Sequence, residues 1–141
     1  MTIVFKPRGP HVTATWFALL AIGFLILLVR VPGAAAPGVI SIDFVGSGTS
    51  MGTAESAGVV AKANWNNAAG ATRSTPLALV DETGAASGAS VTWTASGVWT
   101  TPITDQAGNR RLMKGYLDTS NTSVTTVTVV GLGSGPYDVY V

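Results

Sequence analysis

From residue 39 onward, apolar residues recur at every second position in short runs separated by Gly, Asp and Asn. Val39–Val45 places Ile40, Ile42 and Phe44 on one face, and the run ends at the Gly46–Gly52 stretch. Leu77–Val80 predicts a second strand, closed by Asp81-Glu-Thr-Gly84. In Ala89–Ala95 the small and apolar residues Ala89, Val91, Trp93 and Ala95 alternate with Ser90, Thr92 and Thr94. A period of two with hydroxyls on one face is the pattern of a half-buried antiparallel strand, with Trp93 directed into the core. Val124–Val130 is rich in β-branched residues, and Tyr137–Val141 returns after a Gly- and Pro-rich turn. Val59–Ala61 is a short apolar piece, and Arg111–Leu117 is ambiguous because Gly115 weakens both helix and strand. Past Val29 no long 3.6-residue periodicity occurs, so the expected class is all-β, an antiparallel sandwich. Asp-x-x-Gly occurs at Asp81–Gly84 and Asp105–Gly108. There the Asp satisfies a turn amide and the Gly supplies a positive φ.

The N-terminal quarter follows a different pattern. Lys6 and Arg8 precede the unbroken apolar run Phe17–Val29, which is followed by Arg30-Val-Pro-Gly33 and then Ala34–Ala36. This is the order of a secretory signal, which predicts an N-terminal signal helix. Residues 1–35 are expected to be the signal peptide and 36–141 the β-sandwich module. Cleavage after Ala35 leaves small residues at −3 and −1, whereas cleavage after Ala36 would place Pro37 at +1. The competing reading is a retained membrane anchor through residues 12–29. Those 18 residues reach roughly 27 Å as helix, against about 30 Å of bilayer core. A type IV pilin is excluded, since no acid lies in or before the apolar run.

Charge and composition then restrict the function. Only 11% of the 141 residues are charged, there is no Cys, and the single histidine, His11, lies in the leader. Removing residues 1–35 leaves five basic residues against seven acidic ones, a net charge of −2. That balance excludes a polybasic nucleic-acid footprint. Without His or Cys, the module cannot build a Ser-His-Asp triad, a Cys nucleophile or a conventional zinc or haem site. Stability has to come from packing, not disulfides.

Ile40-Ser-Ile-Asp-Phe-Val-Gly46, Glu55–Asn67, Leu79–Gly84, Val91-Thr-Trp93, Leu112–Asp118 and Val127–Leu132 running into Tyr137-Asp-Val-Tyr140 together span the mature region. This set resembles a galactose-binding-like jelly-roll module of large secreted bacterial proteins. The resemblance implies a non-catalytic domain that binds glycans or attaches to other domains, secreted or held at the cell surface. It also implies about eight strands. Fewer are evident here, and the chain stops inside an alternating segment, so the expectation is a module truncated at its C-terminus within a longer parent chain.

Asn64-Trp65-Asn66-Asn67 is the most site-like segment, because an indole can stack on a sugar face while amides bond its hydroxyls. The structural alternative is a Trp65 plug with the Asn side chains closing turns. Trp99, between Gly97 and Pro102, is a candidate rim aromatic. Calcium is the one cofactor with any basis, through Asp105 with Asn109 or Asp118 with Asn121. Each pair holds a single acid, and turn chemistry explains them better. Asp81-Glu82 is the only adjacent acid pair, and neighbours in a turn rarely face each other across a glycosidic bond. Arg110, Arg111 and Lys114 form the only basic cluster of the module and read as a solvated face. The Asn121-Thr-Ser sequon carries little weight in a bacterial-type chain.

Overall fold

The structure, a computed structural model, describes residues 2–8 and 38–141. Among the described residues there are nine strands and one short helix. They are β1 (Thr2–Pro7), β2 (Ile40–Gly46), β3 (Asn66–Ala69), β4 (Thr72–Val80), β5 (Ala86–Thr94), β6 (Gly97–Thr100), α1 (Asn109–Leu112), β7 (Gly115–Asp118), β8 (Thr126–Val130) and β9 (Tyr137–Tyr140). The strands form three sheets, ordered β3-β2-β1-β9, β4-β5-β8 and β6-β7. The all-β expectation holds at this level. One feature departs from a purely antiparallel sandwich: β2 and β3 run parallel.

The first core lies between the two larger sheets. Ile3, Ile40, Ile42, Phe44 and Ala68 meet Leu79, Ala89, Val91 and Trp93, with Leu117 of β7 closing the set. Phe44 and Trp93 meet edge to face at 5.7 Å, the arrangement ring quadrupoles favour. The Trp93 indole N–H donates to the Gly70 carbonyl at 2.9 Å, so its burial leaves no polar atom unsatisfied. As the alternation predicts, Trp93 is core. Thr92 pairs across from Thr128 and Thr94 from Thr126 on the outer face of that sheet.

A second core covers the other side of the four-stranded sheet. Val4, Val39, Met51, Ala57, Trp65 and Leu112 compose it. Every residue from Ile40 to Val45 is therefore buried. A strand covered on both faces next to a parallel neighbour is the expected exception to polar-out alternation.

The Asp81 turn forms as predicted. Its carboxylate accepts the Thr83 amide at 2.8 Å and the Thr83 hydroxyl at 2.6 Å. Gly84 takes φ 85°, and the turn joins β4 to β5. At Asp105–Gly108 the outcome differs, for Asp105 turns to Arg111 and Gly108 precedes α1. The ambiguous Arg111–Leu117 segment divides into the end of α1 and the start of β7. Val59–Ala61 is turn, not strand.

The expected signal helix is not seen among the described residues. Thr2–Pro7, assigned to the leader's basic end, instead forms a strand paired with both β2 and β9. The apolar run 12–29 and the processing site at 34–36 lie outside the described residues. No described helix is long and apolar enough to cross a membrane.

Candidate functional site

Hairpin β6–β7 is seated on the end of β2 by two glycines. A Cβ on Gly115 would lie 1.9 Å from the Val45 carbonyl oxygen, and one on Gly46 would lie 2.4 Å from the Trp99 carbonyl oxygen. Gly46 also has φ 64°, a left-handed conformation that costs glycine little. The Ser47 amide donates to the Thr100 hydroxyl at 3.1 Å and fixes the same junction. Within the hairpin, Val98 opposes Leu117 and Trp99 opposes Tyr116. Leu117 and Val98 pack into the first core, so alternation sends Trp99 and Tyr116 to the opposite face. Trp99 is 57% exposed there.

Tyr116, though not Trp99, lines an open cleft of about 550 Å³, a size in the ordinary range for small-molecule sites. Thr2 and Val4 form one wall, Tyr140 and Val141 another, and Asn109, Leu112, Met113 and Tyr116 a third. The lining is mostly apolar with a few polar groups. Asn109 is oriented because its Oδ1 accepts the Gly58 amide at 2.8 Å.

A polar network holds α1 at the cleft edge. Glu55 accepts from the Gly108 amide at 3.1 Å and from Arg111 at 2.9 Å, and also from the Gly52 amide. These bonds, that from Gly52 first, hold the Glu55 carboxyl below its usual range. Arg111 donates at 2.9 Å to Asp105, whose carboxyl is lowered by the Thr49 hydroxyl and then by Arg111. The network clamps the 52–58 loop to α1, and it was not evident from sequence because its members are far apart in the chain.

The predicted Asn-Trp-Asn-Asn segment is placed differently from Trp99. Trp65 is only 5% exposed, packs in the second core and donates its indole N–H to the Lys62 carbonyl at 2.8 Å. Asn64, at φ 55°, donates to the Glu82 carbonyl at 2.8 Å. Asn66 donates to the Ser41 and Val80 carbonyls and accepts the Val80 amide at 2.9 Å. Asn67 brackets Met51, accepting its amide at 2.9 Å and donating to its carbonyl at 3.0 Å. All four side chains join backbone segments, and no indole face is open. Of the five ligand candidates, Trp99 alone presents an exposed aromatic surface.

The calcium candidates are also engaged or scattered. Asp105 faces Arg111 and Asn109 holds Gly58. Asp118 opposes Gly97 in the hairpin, and Asn121 is exposed in the turn that follows. Among the described residues no three His, Cys, Asp or Glu side chains converge. In the basic cluster, Lys114 donates to the Ile103 carbonyl at 2.6 Å and Arg110 is exposed.

Asp43 was not anticipated. It is 1% exposed, and neither carboxylate oxygen has a hydrogen-bond partner among the described residues. It stands in register between Asn67 of β3 and Thr2 of β1. Burial, with a smaller contribution from Glu55, pushes its carboxyl up to about 7. A polar residue alternating with Ile42 and Phe44 looks like a wet-face residue in sequence. The second core removes that face from water.

Comparison with protein-family models, curated proteins and solved structures finds no match to this chain.

Proposed function

We propose that this chain is an exported, non-catalytic β-sandwich module of jelly-roll type that associates with carbohydrate or a cell-surface polymer. The observation that carries the reading is the exposed Trp99 indole, which stands in register with Tyr116, itself a residue of the cleft lining. Aromatic faces take the C–H face of a sugar ring, and an oriented amide such as Asn109 bonds its hydroxyls. The acids near the cleft, Glu55 and Asp105, are engaged by Arg111 and backbone amides, which favours binding over acid–base chemistry. A structural spacer domain is the second reading, favoured by the open edge of β9, where Val139 is 52% exposed.

Trp99→Ala is expected to weaken retention on an insoluble polysaccharide such as cellulose or chitin by roughly 3- to 10-fold, the worth of one aromatic contact. Its β-type circular dichroism should be unchanged. By contrast, Trp65→Ala should cost about 3–5 kcal/mol of stability by emptying the second core. Affinity electrophoresis with thermal melts of both variants checks the pair. Unchanged retention in folded Trp99→Ala would remove the hairpin from the site and favour the spacer.

The same reading takes export to follow cleavage after Ala35, so secreted material should begin at Ala36, without the Thr2 and Val4 wall of the cleft and with binding carried by Trp99. N-terminal sequencing decides this, and an intact Met1 in membrane-bound material would favour the anchor.

A further inference from the structure

The two larger sheets end in four edge strands, and three of these carry a device that discourages pairing. β3 has only four residues. β4 holds Arg73 and Pro76, and its register with β5 shifts twice. β9 carries Asp138, which Arg8 engages at 2.6 Å. Short length, charge, proline and irregular register are the means by which sheet edges avoid adding a strand. β8 differs in composition and register. It pairs with β5 through five consecutive residues without a break, and β5 is its only partner among the described strands. Val124–Val130 consists of valine and threonine alone, a composition that favours pairing and places no charge against it. Every second residue of β8 turns an unpaired N–H and C=O outward. Val124 and Val130, at the ends of this stretch, are 82% and 55% exposed.

We propose that two copies of this chain associate through β8, edge to edge and antiparallel about a two-fold axis, joining their three-stranded sheets into one continuous sheet. The strand is its own complement. Centred on Thr128, the pairing sets Thr128 against Thr128, Val127 against Val129 and Thr126 against Val130, so no like charges meet. A two-fold contact of this kind closes after two copies. A foreign strand is selected by pockets or charges along the seam, and valine and threonine offer neither. The pairing also covers Val127 and Val129, which are only partly buried against the first core. A seam this short buries much less than the standard interface of about 1,600 Å². The dimer is therefore weak, with a Kd on the order of 0.1–1 mM. Copies held side by side on one polymer or surface reach such local concentrations. The contact uses neither the cleft, Trp99 nor the leader, so it is independent of the binding and export readings.

Sedimentation equilibrium of the full-length chain over that concentration range is expected to show a monomer–dimer equilibrium. Thr128→Lys changes an exposed position and sets two ammonium groups face to face, so it should weaken the dimer at least tenfold with circular dichroism unchanged. Val139→Lys, on the β9 edge, should leave the dimer intact. The double variant Thr126→Lys, Val130→Glu should also dimerise, because each lysine then faces the glutamate of the other copy. The chain has no cysteine, which allows a test that does not depend on the folding of a charged variant. Thr128→Cys should form a disulfide-linked dimer under mild oxidation, whereas Thr126→Cys, about 14 Å from its own counterpart in this register, should not. A chain that stays monomeric throughout would overturn the proposal. So would association that Thr128→Lys leaves intact, which would place the contact elsewhere, or a dimer in which Thr128→Cys does not cross-link.

Discussion

Gly115→Ala is expected to be among the most damaging single substitutions in this protein, costing about 3 kcal/mol or more. Overpacking by one methyl group typically costs about 1–3 kcal/mol when neighbours can yield. Here the new carbon would sit 1.9 Å from the Val45 carbonyl oxygen and 2.2 Å from its carbon, and backbone cannot rotate away as a side chain can. The hairpin would have to lift from β2, taking Leu117 out of the first core and Tyr116 out of the cleft wall. Stability and polysaccharide retention should fall together. Urea titration followed by tryptophan fluorescence checks the first, and a shift of less than about 0.5 kcal/mol would show that the junction is not tightly packed.

The second large effect is a pH dependence set by Asp43. Its carboxyl lies near 7 in the folded protein and at about 3.9 in an unfolded chain. Below pH 4 both states hold the proton and the group contributes no slope. Between about 4 and 7 the unfolded chain ionises first while the folded one keeps its proton. Stability should therefore fall as pH rises, by at most about 1.4 kcal/mol per unit. Above 7 the effect is complete. Glu55 and Asp105, with lowered carboxyls, act in the opposite sense and only in the acid range. The protein should thus be more stable at pH 5 than at pH 8, and Asp43→Asn should abolish most of the difference. Urea midpoints at the two pH values test this. An equal slope in the variant would assign the dependence to other groups.

The period-two pattern was enough to locate β2, β5, β8 and β9, because each carries its own apolar stripe or β-branched run. It was not enough for β3 and β6, which hold four residues each and owe their strand character to a neighbour's ladder. β1 was hidden for another reason: Lys6 and Arg8 before a long apolar run match a leader's basic end, and pairing with β2 is a non-local event. The site was legible in part. Trp99 was marked by its Gly and Pro surroundings, but its register with Tyr116, and the meeting of Tyr116, Tyr140 and Asn109 around the cleft, depend on cross-strand pairing and on the clamp at Glu55. Trp65 carries the same local signal as a stacking residue, an indole among amides. Only the three-dimensional cover by Met51, Ala57 and Leu112 separates the two cases.

The most direct measurement of the binding claim is amide chemical-shift mapping of the isotopically labelled full-length protein, titrated with a soluble oligosaccharide of cellulose or chitin. The account predicts saturable shifts confined to Trp99, Tyr116, Asn109, Tyr140 and their neighbours, together with a shift of the Trp99 indole N–H. Saturable shifts centred instead on Asn64–Asn67, or none across an oligosaccharide panel, would contradict it.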